Sequence, residues 1–171
     1  LKEHRMIFLP SRFCKEPNVS DKINANEAEI VVDMLRRIHR FYGDRFDAQK
    51  TVGVIVPYRN QISMIRKEIE KLGIPQLEDI SIDTVERYQG SQRDVIIYSF
   101  TIQNRYQLDF LTSNCFEEDN HIIDRKLNVA MTRARKQMIF TGNYDILNND
   151  IIFQQLIEYI KTKQIGRASC R

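Results

Sequence analysis

Three arginines near the end of this 171-residue chain have a spacing that suits phosphate chemistry. They lie in the segment Asp124–Arg135, as Arg125, Arg133 and Arg135. Read as a helix, this segment has an apolar face made of Leu127, Ala130, Met131 and Ala134. The arginines then face away from the core, beside Asn128, Val129 and Thr132. Clustered guanidinium groups repel one another unless an anion faces them, and their planar donors match phosphate oxygens. The segment predicts a phosphate site or, alternatively, a solvated basic face.

A second polar segment, Ile82–Asp94, follows a short predicted strand. Thr84 lies just past the end of that strand, and Gly90 lets a ligand approach the backbone closely. Further hydrogen-bonding groups around the glycine come from Gln89, Ser91 and Gln92. The pattern indicates a ligand-binding loop or, alternatively, an ordinary polar connection with glycine at a turn.

A third segment, Val52–Gln61, joins a strand to a helix. The strand stops at Pro57, and the helix opens with Tyr58, Arg59 and Gln61. The amino end of a helix exposes backbone amides that bind phosphate, and an arginine there adds charge. The alternative is a plain turn in which Tyr58 packs locally. All three segments are expected at the carboxyl ends of strands, where open α/β sheets bind ligands.

The chain lacks residues that a complete nucleotide motor needs. It has no Gly-Lys pair, and therefore no phosphate-cradling P-loop. No strand ends in an Asp-Glu pair that holds magnesium. The chain alone is therefore expected to be inactive as an ATPase.

The apolar patterns predict a three-layer α/β domain built on a mostly parallel sheet. Nearly continuous apolar runs predict strands at Met6–Leu9, Val52–Val56, Ile80–Ile82, Val95–Phe100 and Met138–Thr141. Helical periodicity predicts helices at Glu27–Tyr42, Arg59–Leu72 and about Ile151–Lys161. Asn24 or Asn26 can cap the first helix, and Gly43 can end it. Loops are predicted at Asn18–Lys22 and Gln103–His121.

Composition indicates a globular domain and excludes little else. The net charge of +3 does not by itself argue for nucleic acid, and the three cysteines have no metal spacing. Reduced thiols suit a cytoplasmic protein, and no stretch is long enough for a membrane span or resembles a signal peptide. Because the chain begins at Leu1, it is expected to be part of a longer protein. We expect one domain over residues 1–164 and a disordered or cloning-derived tail over residues 165–171.

Together the three segments resemble motifs IV, V and VI of the second RecA-like domain of a superfamily 1 helicase, in the Upf-like group. Val54–Gln61 resembles motif IV and Asp83–Asp94 resembles motif V. Arg125–Arg135 resembles motif VI. Phe110-Leu111 resembles a short signature that precedes motif VI. The resemblance covers about residues 6–159, and motif VI is its most specific part.

The resemblance implies a P-loop NTPase-type fold and a two-domain motor. ATP and Mg2+ would be bound jointly with a first RecA-like domain of the same protein, which supplies the P-loop and the magnesium acids. Arg133 would be the catalytic arginine finger, Arg135 a supporting arginine, and Gln89 and Gly90 would face the nucleotide. Gln92 stands where the family often has a glutamate near the ribose. The single-stranded DNA or RNA would contact Tyr58, Arg59, Gln61 and Thr84.

The sequence leaves other functions open. A non-catalytic nucleic-acid-binding or scaffold domain derived from a helicase is the main alternative. A free-standing Rossmann-like nucleotide binder is disfavoured because the glycine-rich fingerprint is missing. The choice between DNA and RNA is not made by these residues, and movement from 5′ to 3′ is implied only by the resemblance.

Overall fold

A five-stranded sheet, parallel throughout, forms the centre of the chain in a computed structural model. The structure describes residues 5–13, 20, 22–88, 92–113, 115–118 and 121–168, with the backbone alone for 5, 115–118, 121–124 and 163–168. The strands are β1 (Arg5–Pro10), β2 (Val52–Val56), β3 (Ser81–Thr84), β4 (Arg93–Ser99), β5 (Cys115–Glu118), β6 (His121–Asp124) and β7 (Ala134–Gly142). The sheet order is β1-β7-β4-β2-β3, and β5 and β6 form a separate antiparallel hairpin.

Helices cover both faces of this sheet, which gives the predicted three layers. They are α1 (Ala25–Tyr42), α2 (Arg59–Glu70), α3 (Pro75–Glu78), α4 (Arg105–Thr112), α5 (Arg125–Thr132), α6 (Tyr144–Leu147) and α7 (Ile151–Ala168). One core joins α1, α2 and α3 to the sheet, and a second core joins α4 to α7 to its other face. Within β4, Ile97 belongs to the first core, whereas Ile96 and Tyr98 belong to the second. Burial on both faces explains why this strand reads as one continuous apolar run.

The predicted strands and the three long helices are confirmed; most ends shift by one or two residues, whereas β7 and α7 are longer than predicted. Asn24 rather than Asn26 caps α1, because its side-chain oxygen accepts a hydrogen bond of 3.0 Å from the Glu27 amide. Gly43 ends the helix with a φ of 54°, a conformation that favours glycine. Most of the predicted loop Asn18–Lys22 lies outside the described residues, although Lys22 itself is in a turn.

The prediction of a long loop over Gln103–His121 is wrong. This stretch contains α4, strand β5 and the first residue of β6. Helix α4 begins because the Asn104 side chain accepts a hydrogen bond of 2.9 Å from the Gln107 amide, which caps its amino end. The helix buries only one short stripe, Gln107, Leu108 and Leu111. A stripe this short, among polar and exposed aromatic residues, does not produce a recognisable helical period.

The arginine-rich helix ends earlier than predicted. Helix α5 stops at Thr132, Arg133 is in a turn, and β7 begins at Ala134, four residues before the predicted strand. The cause is the neighbouring strand: Ala134 is paired with Arg93 in β4, so ladder pairing replaces the helix there. Arg133 and Arg135 therefore do not share a helical face with Arg125.

The last helix runs further than its predicted end at Lys161. Helix α7 continues to Ala168 and so includes residues 165–168 of the expected tail, while residues 169–171 lie outside the described residues. No proline interrupts this stretch, and a helix tolerates the single Gly166 near its end. None of the helices in the described part of the chain is long and apolar enough to cross a membrane.

Candidate functional site

The turns after β2 and β3 lie side by side at the carboxyl edge of the sheet. These strands are neighbours, and Val56 is paired with Thr84. A cleft of about 450 Å³ opens at this edge. Its lining within the described residues consists of Lys22, Pro57, Tyr58, Arg59, Asn60, Thr84, Glu86 and Arg87. With three cations and one carboxylate, this cleft is basic and suits an anionic ligand.

A row of two aromatic rings with a cation at each end continues from this cleft, and we call it the aromatic row: Lys22, Tyr58, Phe110 and Lys126. The Tyr58 and Phe110 rings stack with their centroids 6.2 Å apart and their planes 20° from parallel. The Nζ atom of Lys22 lies 5.9 Å from the Tyr58 ring centroid, and that of Lys126 lies 5.4 Å from the Phe110 centroid. Cations at these distances are attracted to the electron-rich ring faces.

Glu86 connects Thr84 with the aromatic row. Its carboxylate forms an ion pair of 2.9 Å with Lys126 and accepts a hydrogen bond from Thr84. Burial raises the pKa of Glu86, but the hydrogen bonds from Lys126, the backbone and Thr84 outweigh it, so the pKa lies below its usual range. Thr84 is only 8% exposed. Its hydroxyl group is therefore held by a carboxylate beside the cleft and is not fully displayed on the surface.

Gln61 lies in the core, although the sequence placed it among the ligand-binding residues. Its side chain is fully buried and forms two hydrogen bonds with the backbone of Asn24. The Gln61 Oε1 atom accepts from the Asn24 amide and the Nε2 atom donates to the Asn24 carbonyl, each at 2.9 Å. Gln61 thus fixes the start of α1 against the start of α2, and α2 begins beside the cleft residues Tyr58 to Asn60.

Arg133 lies at the opposite, amino-terminal edge of the sheet. This placement corrects the expectation that all three segments lie at the carboxyl edge of the sheet, because α5 follows a strand of the separate hairpin and leads into the start of β7. The Arg133 amide donates to the Ala130 carbonyl at 3.1 Å, and the Arg133 carbonyl accepts from the Arg93 amide at 2.8 Å. Its Nε atom is buried and has no hydrogen-bond partner among the described residues. A fixed backbone thus carries a guanidinium group with unused donor capacity.

Arg93 is a second cation close to Arg133. Burial raises the pKa of Tyr88, while the charges of Arg93 and Arg133 lower it in part, which places both near the Tyr88 hydroxyl group. Arg93 is 4% exposed, and its guanidinium group donates to the Ser81 hydroxyl and the Gln92 carbonyl, each at 3.1 Å. Neither arginine forms an ion pair within the part of the chain that is described. Two buried or half-buried cations that pair with no carboxylate of the described residues make this edge suitable for an anion, although Asp94 lies nearby and pairs with Arg135 and Lys136.

Of the remaining predicted nucleotide contacts, the structure describes Gln92 and Arg135. Gln92 is exposed beside Arg133, and its Nε2 atom donates to the Thr132 carbonyl at 3.2 Å. Arg135 points to Asp94, with Nε 3.3 Å from the carboxylate, and it also donates to the Lys50 carbonyl. Gln89 and Gly90 lie outside the described residues. The structure therefore brings Gln92, Arg133 and Arg135 to one edge.

A buried carboxyl group lies at the carboxyl edge of the sheet, beside the ends of β1 and β4. Glu27 is completely buried, and its Oε1 atom accepts hydrogen bonds of 3.0 Å from the Ser99 hydroxyl and the Thr101 amide. Burial raises the pKa of Glu27 to about 8, although these hydrogen bonds and the nearby Ser11 hydroxyl lower it. Among the described residues, neither Glu27 Oε2 nor Ser11 Oγ has a hydrogen-bond partner within bonding geometry. Thr101 has a φ of 58°, an uncommon conformation that this contact helps to hold.

Comparison with known proteins identifies the family. The protein family described as "AAA domain" matches residues 2–145. The DNA polymerase alpha-associated DNA helicase A of Saccharomyces cerevisiae is 34% identical over 131 residues, which are 75% of this chain and 17% of that protein. This chain belongs to the Upf-like group of superfamily 1 helicases.

Two further relatives agree with membership of the helicase group. The regulator of nonsense transcripts 1 of Dictyostelium discoideum is 35% identical over 118 residues, or 67% of this chain and 8% of that protein. The helicase sen1 of Schizosaccharomyces pombe is 30% identical over 144 residues, or 82% of this chain and 8% of that protein. The chain thus spans less than a fifth of the length of each of these relatives. It corresponds to their C-terminal region, and its five-stranded parallel sheet is consistent with a RecA-like domain.

Sequence reasoning on this helicase-group chain missed two features of the site. Phe110 was noted only as part of a short signature, because α4 was not predicted. Glu27 was named only as the start of the first predicted helix, although its side chain enters the core. A glutamate within an apolar stripe at Ala28, Val31 and Leu35 is the signal that indicates a buried acid.

Proposed function

We propose that this chain is the second motor domain of an ATP-dependent helicase. In this function the chain supplies an arginine finger to a nucleotide site shared with a first RecA-like domain, and it supplies part of the single-strand surface. The observation that carries the proposal is the separation of two basic sites. Arg133 and Arg93 lie at the amino-terminal edge of the sheet, whereas the cleft beside Tyr58 and Arg59 lies at the carboxyl edge. A helicase needs separate sites for ATP and for the nucleic-acid strand along which it moves.

Arg133 is the proposed catalytic residue for ATP hydrolysis, which transfers the γ-phosphoryl group to water. Negative charge is spread over the γ-phosphate oxygens in the transition state, and a guanidinium group in a dry site stabilises it. The buried Nε of Arg133 has no hydrogen-bond partner among the described residues, which supports this role because it leaves a donor for an incoming anion. Arg135, Gln89, Gly90 and Gln92 are proposed to line the same nucleotide site.

Magnesium is not assigned to any ligand in the described part of this chain. No group of three or more histidine, cysteine or acidic side chains that could hold a metal ion occurs among the described residues. Mg2+ is therefore proposed to be bound mainly by the first RecA-like domain, together with ATP. No catalytic role in this chain depends on it.

The cleft at the carboxyl edge is proposed to bind the backbone of single-stranded DNA or RNA. Arg59 lines it and forms no ion pair within the described residues, so its charge is available to a phosphate. The Thr84 hydroxyl group donates a hydrogen bond to Glu86. It would donate to a phosphate oxygen instead when a strand is bound. Gln61 is proposed to act only indirectly, through the buried contact with Asn24.

The experiment is a titration of fluorescent single strands into the full-length protein carrying Arg59→Ala with Thr84→Ala. Weaker binding and a shallower dependence on salt are expected, because each lost phosphate contact lowers the slope by about 0.7 for a single strand. Basal ATP hydrolysis is expected to remain near normal, since the two edges are separate. The matched control is Arg40→Ala, which removes an exposed arginine of α1. Unchanged affinity and slope in the double variant would contradict this assignment, and absence of ATP hydrolysis in the unmodified full-length protein would favour the scaffold alternative.

A further inference from the structure

We propose that Phe110 is a base-stacking residue, which holds one base of the single strand beside the Tyr58 ring while Lys22 and Lys126 face the adjoining phosphates. This inference rests on the proposed function, because it assigns a further contact to the same single strand. It extends the site from the basic cleft to helix α4, which the sequence patterns did not place there.

The first argument is the exposure of Phe110 on a firmly anchored helix. The Phe110 side chain is 53% exposed, whereas its neighbours Leu108 and Leu111 are buried. Besides the cap from Asn104, the Gln107 side chain accepts a hydrogen bond of 2.6 Å from the Gln103 amide. The Gln103 side chain in turn donates to the Ile23 carbonyl. An aromatic ring held out on a fixed helix loses little entropy when a flat ligand stacks on it.

The second argument is the geometry of the aromatic row. The rings of Tyr58 and Phe110 are 20° from parallel, so together they present an aromatic surface at the edge of the cleft. Stacking on such rings is how proteins bind unpaired bases without selecting a sequence. The ring separation of 6.2 Å leaves the two planes offset, and more than half of the Phe110 surface remains open to a base.

The third argument is the match between charge and spacing. Lys22 and Lys126 lie at the two ends of the aromatic row, next to Tyr58 and Phe110 respectively. A single strand carries one phosphate for every base, so a site with cations on both sides of aromatic rings is complementary to it. Glu86 orients Lys126 through the ion pair of 2.9 Å and neutralises only one of these cations.

A base-free strand separates stacking from phosphate contact. We would measure the binding of the full-length protein to fluorescent oligoadenylates, as DNA and as RNA, and to an abasic strand of equal length, by fluorescence anisotropy. Phe110→Ala is expected to weaken oligoadenylate binding roughly five- to 100-fold, the effect of one lost base stack. Binding of the abasic strand is expected to change less than twofold. Phe110→Trp is expected to restore or strengthen binding, because tryptophan offers a larger stacking surface.

The control is Phe41→Ala, since Phe41 is 77% exposed on α1 and takes no part in the aromatic row. Thermal unfolding of each variant, followed by circular dichroism, shows whether the fold is retained. If Phe110→Ala unfolds, the stacking role is tested by the strand affinity of Phe110→Trp instead. Equal losses on oligoadenylate and abasic strands, or no loss on either, would overturn the stacking role and indicate that Phe110 contacts protein instead. That result would leave the proposed function intact. Failure of the unmodified full-length protein to bind any strand would contradict both proposals.

Discussion

Replacing Glu27 by glutamine tests whether the buried Glu27 carboxyl group is protonated and neutral in the folded domain. Glutamine has the same shape and keeps an oxygen that can accept the hydrogen bonds from Ser99 and Thr101. Its amide nitrogen takes the place of Oε2, which has no partner among the described residues. The substitution therefore removes the titration of residue 27 while it preserves the packing around it.

The expected magnitude follows from the pKa of Glu27, which burial raises from 4.5 to about 8. Below the lower value both the folded and the unfolded chain hold the proton, and the full stability of this group is present. As the pH rises, the unfolded chain releases the proton while the folded chain keeps it. The free energy of unfolding then falls by about 1.4 kcal/mol per pH unit until the folded pKa is passed. Between about pH 5 and pH 7 the loss is roughly 2 to 3 kcal/mol.

The assay is urea unfolding of the 171-residue chain, followed by circular dichroism across this pH range. The Glu27→Gln variant is expected to gain roughly 2 to 3 kcal/mol relative to the unmodified chain from about pH 5 to pH 7, because glutamine does not titrate. Glu29→Gln, an exposed change on the same helix, is the matched control and is expected to show no such gain. A stability difference between Glu27→Gln and the unmodified chain that stays constant with pH would refute the assignment of a neutral, buried acid.

Three further outcomes are expected. Gly53→Ala should lower the melting temperature strongly, because the added methyl group would lie 1.8 Å from the Tyr88 hydroxyl oxygen and 2.8 Å from its ring, and an unchanged melting temperature would contradict this packing. Gln61→Leu should cost roughly 1 to 3 kcal/mol in urea unfolding, because the buried Asn24 amide loses its acceptor while the Asn24 carbonyl keeps only its bond from the Ala28 amide, and a cost near zero would show that water replaces the lost partner. The 171-residue chain with ATP, magnesium and single-stranded DNA should release no phosphate above a buffer blank, and turnover that survives repurification would contradict a shared nucleotide site.

The sheet was predictable from sequence because its signal is strong and local. Each central strand is buried on both faces, so residues such as Val54 and Ile97 stand in continuous apolar runs. The long helix α1 carries a regular stripe with Val31 and Leu35 and a clear cap at Asn24. These elements were placed within a few residues of their observed ends.

The errors arose where contacts distant in sequence decide the structure. The helix containing Leu127 reads as continuing past Thr132, but pairing with β4 converts the next residues into a strand. Helix α4 has one buried stripe around Leu108 and depends on caps that periodicity does not reveal. Gln61 was expected on the surface, and its partner, Asn24, is 37 residues away in sequence. Side-chain partners of this kind follow from the packing of α1 on α2, which local patterns do not contain.

The central claim is that Arg133 acts on ATP during hydrolysis, and measuring hydrolysis by full-length protein carrying Arg133→Ala tests it most directly. The rate is expected to fall by roughly three to five powers of ten, the scale of an arginine finger. Nucleotide binding should change much less, because the charge that Arg133 meets grows in the transition state. Arg133→Lys should also fail, since an ammonium group lacks the planar fork, whereas Arg40→Ala should hydrolyse ATP normally. Normal hydrolysis by Arg133→Ala would contradict the claim and would direct attention to Arg135.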